Sequence, residues 1–143
     1  MKIHAKTAIP LAAVFAALLM VGITPAFAEV TISAAEGSGA PGCEETAEGC
    51  YLPGTVTVDV GSVVIMSNPD TAAHTFTAGS PADGPTGEFD TGLLMAGGSF
   101  EWSPDTVGEI PYFCMVHPWM VGLIVVQEAD AQVDGSMMDD KMK

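Results

Sequence analysis

The sequence predicts an all-β domain, an antiparallel sandwich of seven or eight short strands. Short segments rich in β-branched and aromatic residues recur along the chain, with glycine, proline and aspartate between them. Beyond the apolar N-terminal stretch, no run shows convincing helical periodicity. Strands of this length with turn signals between them point to a sandwich.

The elements follow in order. Residues 1–28 read as a secretory leader. Lys2 and Lys6 give a basic start, Ala8 to Val21 an apolar run, Pro25 a break, and "AFA" at 26–28 a small-residue cleavage site. The alternative is an uncleaved membrane anchor, and the A-x-A end favours cleavage. The domain expected over 29–128 has strands at "VTIS" (30–33), "TVTVDV" (55–60), "SVVIMSN" (62–68), "HTFTAG" (74–79), "SFEWS" (99–103), "IPYFCM" (110–115) and "GLIVVQ" (122–127). Residues 79–88, "GSPADGPTGE", read as a long loop, and "TGLLMAGG" (91–98) as room for one helical turn. The acidic, Met-rich tail over 129–143 has no core pattern and is expected to be disordered.

Charge narrows the function. The chain has 18 acids against 4 lysines and no arginine, a formal net charge of −14. The leader holds two of those lysines and no acid, so its removal gives −16. From Glu29 to Asp140 there is no lysine or arginine at all. Nucleic acid is excluded as a partner on electrostatic grounds, and an anionic lipid surface is disfavoured. A partner with a basic face, or a salty medium, is the natural complement. A monomer is expected, with membrane association only through an uncleaved leader.

The cysteine count is odd: Cys43, Cys50 and Cys114. In an exported chain, Cys43 and Cys50 within "GCEETAEGCY" are expected to pair. Such a short loop contributes about 2.5 kcal/mol on the chain-entropy model. The competing reading, a second metal site there, lacks a neighbouring histidine. Cys114 is then the one free thiol.

That thiol lies in "FCMVHPWM", where Cys114, His117 and Met120 recur every third residue. Only His74 and His117 remain once the leader has gone. Singly, each of these four residues has an ordinary explanation: a half-buried imidazole, a core methionine, a small buried thiol. Together they form a metal-ligand set. Soft thiolate and thioether donors select copper, and two histidines with one cysteine and a weak axial methionine make a blue-copper electron-transfer site. Zinc would want a better fourth ligand than methionine, and iron–sulfur clusters need more cysteines. Pro118 fixes its own φ and keeps His117 out of the α region, which holds the loop in shape.

The C-x-x-H-x-x-M loop, "YFCMVHPWMVGLIVV" and "LPGTVTVDVGSVVIMSN" resemble the plastocyanin/amicyanin family of small cupredoxins, archaeal members in particular. The resemblance covers about residues 50–127. It implies a Greek-key β-sandwich, a single Cu(I)/Cu(II) ion, and a role shuttling single electrons between redox proteins outside the cytoplasm. It also implies His74, Cys114 and His117 as equatorial ligands and Met120 as the axial one. Two departures stand out. Thr75 follows the first histidine where many members carry asparagine, and the Cys43–Cys50 insert has no counterpart in the usual pattern. Trp119 stands where amicyanin-like loops often have phenylalanine.

Two other functions compete. A copper carrier or chaperone would release Cu(I) readily, and the tail methionines give it weak support. Multicopper oxidases and copper nitrite reductases need further histidines, and Met115 occupies the position where a histidine would wire two sites. One enzymatic route survives: a loosely bound Met120 would open the copper to a small molecule such as nitric oxide.

Overall fold

The computed structural model describes residues 28–129. The expected leader and tail lie outside that range, apart from Ala28 and Ala129. Nine strands form two sheets: β1 Glu29–Ala34, β2 Tyr51–Leu52, β3 Thr55–Asp59, β4 Val63–Ser67, β5 Thr77–Ser80, β6 Gly84–Asp90, β7 Ser99–Trp102, β8 Gly108–Phe113 and β9 Val121–Gln127. One sheet has the order β2-β1-β4-β7 and the other β3-β9-β8-β5-β6.

The sheets are mixed rather than antiparallel throughout. β1 pairs parallel with β4, and β3 with β9, each over five residue pairs. Parallel neighbours need crossover connections. Local sequence alternation reports which face a strand buries but not which neighbour it takes.

Alternation fills the core. Ile32 and Ala34 of β1, Val64 and Met66 of β4, Ile110 and Tyr112 of β8, and Ile124 and Val126 of β9 point inward and are buried. Burying each of the larger aliphatic side chains stabilises the fold by about 1.5–3 kcal/mol. Tyr51 sits among them, its ring 4.7 Å from Phe76 and 4.8 Å from Tyr112. Tyr112 lies so close over Gly122 that a Cβ there would come within 2.2 Å of its ring. β9 therefore needs glycine at that point.

Three local expectations change. Residues 79–88 are not all loop. β5 and β6 form a hairpin around residues 81–83, and β6 is an edge strand that is exposed at most positions. Pro85, Gly84 and Gly87 made it look like loop, yet an edge tolerates them. Gly79 sits at the hairpin's register shift with φ 129°, and a Cβ there would meet Gly84 O at 2.1 Å. No helical turn forms over 91–98. Leu94 instead makes an isolated antiparallel bridge with His74. His74 consequently does not open a strand, and β5 begins three residues later at Thr77.

Candidate metal centre

The hairpin from β8 to β9 builds most of the site. Cys114 follows β8 directly, and Met120 immediately precedes β9. Two backbone bonds close the loop, Cys114 N to Met120 O at 3.1 Å and Met120 N to His117 O at 2.9 Å. His74 arrives from the other side, fixed by its paired backbone bonds with Leu94 at 3.0 and 2.8 Å.

The structure brings three of the four predicted donors, His74, Cys114 and His117, together. His74 Nδ1 lies 3.1 Å from His117 Nδ1, and Cys114 Sγ lies 3.9 Å from the first and 3.7 Å from the second. A point equidistant from the three atoms is about 2.1 Å from each, within the 2.0–2.3 Å of first-row metal bonds to imidazole and thiolate. The chemistry of the set fits copper better than zinc, since it offers one soft thiolate and two imidazoles, with the thioether of Met120 carried on the same loop. His74, Cys114 and Met120 are fully buried, and His117 is half-buried.

Neighbouring groups prepare each donor. His74 Nε2 donates to Asp70 Oδ2 at 2.7 Å, which leaves the Nδ1 lone pair free to face the centre. Asp70 is 4% exposed. Burial works against its ionisation, but bonds from His74 and from the Gly37 and Thr71 amides outweigh it and hold the carboxyl at about 2. For His117, burial and then the neighbouring His74 push the imidazole below its ordinary pKa, which favours the neutral, lone-pair form a metal requires. Cys114 Sγ accepts from the Thr75 amide at 3.3 Å. Thr75 Oγ1 accepts from the Met115 amide at 2.8 Å, so this threonine ties the two ligand segments together.

The Cys43–Cys50 insert packs onto the same place. Its disulfide is formed. Between β1 and that bridge, Ser38 is fully buried, and its carbonyl accepts from Trp119 Nε1 at 2.9 Å. Ser38 Oγ donates to Ala35 O at 2.6 Å and lies 3.4 Å from His74 Nε2. At Gly39 a Cβ would stand 3.8 Å from His117 Nε2 and 2.7 Å from Ala72 Cβ, so the segment can pass there only as glycine.

No protein-family model and no curated protein sequence matches the chain. Solved structures do. A novel purple cupredoxin from Nitrosopumilus maritimus is 28% identical over 68% of this chain and 99% of its own, with a TM-score of 0.60. The chain has the cupredoxin fold. A Cu-containing nitrite reductase from Thermus scotoductus SA-01 aligns at 21% identity and TM-score 0.52, over 90% of this chain. The alignment spans 25% of that protein's length, and the likeness is one of fold. An amicyanin variant in the Cu(I) form aligns at 18% identity, over 69% of this chain and 82% of its own, with a TM-score of 0.49; that likeness selects no branch of the family.

Sequence reasoning missed three parts of this site. Asp70 sits in a loop with no periodic pattern around it, and its spacing from His74 gave the only hint. Ser38 belongs to an insert with no counterpart in the expected pattern. Tyr51, whose hydroxyl donates to Thr75 O, closes the polar segment "GCEETAEGCY" and lies in none of the expected strands. Cavities of about 550 and 440 Å³ lie elsewhere, the first around Trp102 and Asp105 and the second around Glu48 and Gly122.

Proposed function

We propose that this chain is a small cupredoxin, an exported one-electron carrier that binds one copper ion through His74, Cys114 and His117, with Met120 as the weak axial ligand. The observation that carries the reading is the convergence of two Nδ1 atoms and one Sγ on a point at metal-bond distance. Copper, when bound, supplies the one-electron Cu(I)/Cu(II) couple. The chain's contribution is to hold the donors still. The Leu94 bridge, the Thr75 bonds and the loop bonds of Met120 each fix one donor, so the site keeps one shape whichever oxidation state it holds.

Electron entry is proposed at His117, the donor with solvent contact. Met115 and Val116 beside it are 51% and 50% exposed, and Pro118 is exposed as well. A small apolar patch around an imidazole edge suits a brief encounter with another redox protein. Partners with a basic docking face fit a chain that has no cationic side chain from Glu29 to Asp140. Export is supported by the leader pattern and by a disulfide, which persists in oxidising compartments. No helix among the described residues is long and apolar enough to cross a membrane.

The deciding experiment is a visible and EPR spectrum of the copper-loaded protein. A strong thiolate-to-copper band is expected, and Cys114→Ser should abolish it. A colourless loaded protein, or colour that survives Cys114→Ser, would refute the site. Slow release to a Cu(I) chelator is expected of an electron carrier, and rapid release would instead indicate a copper carrier. Placing Lys or Glu at Met115 should slow partner electron transfer with little change in the spectrum, and an unaltered rate would move the docking surface elsewhere.

A further inference from the structure

Resting on the copper reading above, we infer that Asp70 is a positioning residue whose fixed negative charge biases the centre toward its oxidised state. Its Oδ2 accepts from His74 Nε2 at 2.7 Å and its Oδ1 from the Gly37 amide at 3.0 Å. Its own amide donates to Asn68 Oδ1 at 3.0 Å, and Asn68 Nδ2 donates to Ala72 O and Leu94 O at 2.8 and 2.9 Å. The loop from Asn68 to His74 is thus pinned at both ends, with the carboxylate aimed at the back of the ligand ring. Asn68 and His74 are fully buried, and Asp70 nearly so.

A carboxylate taken from water needs compensation. No lysine or arginine exists from Glu29 to Asp140, and the Asp70–His74 contact is the one ion-pair geometry among the described residues. The positive charge within its reach is therefore the His74 N–H and whatever ion that ring holds. With copper and the Cys114 thiolate, the oxidised centre carries a formal +1 and the reduced centre zero. Asp70 changes these to zero and −1. In a buried, weakly screened setting the oxidised form gains more from the carboxylate. Reduction by an external one-electron donor adds one electron and no proton, and Asp70 remains a carboxylate throughout. The same contact fixes the tautomer, placing the proton on Nε2 and the lone pair on Nδ1.

The test is an equilibrium redox titration of the copper-loaded protein beside Asp70→Asn and Asp70→Glu. Asparagine keeps an acceptor oxygen for His74 Nε2 and removes the charge. The coloured copper should be retained in Asp70→Asn. Its preference for Cu(II) over Cu(I) should fall at least about tenfold, a rise of about 59 mV for one electron. The shift should persist in 0.5 M NaCl, because a buried charge is poorly screened. Asp70→Glu, which restores the charge, should move the potential less. An unchanged potential in a coloured Asp70→Asn protein overturns the inference and leaves the copper reading standing. A colourless loaded wild type defeats both. Should Asp70→Asn fail to fold, nitrogen-15 NMR of the wild-type Cu(I) protein decides instead. A slowly exchanging, downfield proton on His74 Nε2 is expected, and a proton on Nδ1, or a rapidly exchanging one, overturns the assignment.

Discussion

Thr75 shows how much one side chain does at the residue scale. Its amide donates to Cys114 Sγ, its carbonyl accepts from Tyr51, and its hydroxyl accepts from the Met115 amide. Thr77 Oγ1 lies 2.9 Å from that hydroxyl and 3.1 Å from Asp90 Oδ1, which extends the tie toward β6. Thr75→Ala leaves the part-buried Met115 amide without its acceptor, a loss of about 1–3 kcal/mol. Urea unfolding should show that loss, and the copper band should shift as the two ligand segments loosen. Thr75→Ser should restore both, and an unmoved midpoint in the alanine variant would show that the tie is idle. Met120 is fully buried, and its backbone bonds to Cys114 and His117 in the same loop. Met120→Leu should leave the copper coloured and raise its potential, since the axial ligand tunes it. If neither spectrum nor potential changes, Met120 serves the core alone.

The insert between β1 and β2 is the informative element. Its disulfide holds a polar segment that would otherwise have little to fold around, for only Ser38 and Cys50 are buried there. Fixed in place, it receives the Trp119 ring and covers the far sides of His74 and His117. Replacing Cys43 and Cys50 together with serine should cost about 2–3 kcal/mol of folding stability, as expected for so short a loop. It should also quicken copper removal by a chelator, because the cover over His117 loosens. Denaturant unfolding and stopped-flow chelation measure the two effects separately. Lower stability with an unchanged release rate would mean that the insert braces the fold without shielding the metal.

Across the whole molecule, charge of one sign dominates. Fourteen acids lie between Glu29 and Glu128 with no lysine or arginine among them, so surface charges there repel one another. Such repulsion weakens the compact state more than the expanded one. The Debye length falls from about 30 Å at 0.01 M salt to about 10 Å at 0.1 M. The thermal midpoint of the copper-loaded domain at pH 7 should therefore rise between 0.01 and 0.3 M NaCl. A flat or falling midpoint would sink the argument. The same field should speed encounter with a basic partner, and the association rate should drop as salt rises. Asp70 stands apart from this population, since it is buried and paired while most of the other acids are exposed.

The sequence by itself determined the all-β class, seven of the nine strands and the Cys43–Cys50 pair, and it named four candidate ligands, of which the structure brings His74, Cys114 and His117 to one point. Those features are local or chemical: alternation shows in a few neighbouring residues, two nearby cysteines limit each other's partners, and scarce soft donors identify themselves by type. Tertiary structure decided what depends on distant segments meeting. It set the parallel pairing of β1 with β4 and of β3 with β9, and it turned a Gly- and Pro-rich stretch into the edge strand β6. It also held His74 by a bridge to Leu94 rather than within a strand. Asp70, Ser38 and Thr75 gained their places around the donors in the same way. A hydrogen bond of a few ångströms between residues dozens of positions apart leaves no periodic trace in the chain, and only the packing of the two sheets brings its ends together.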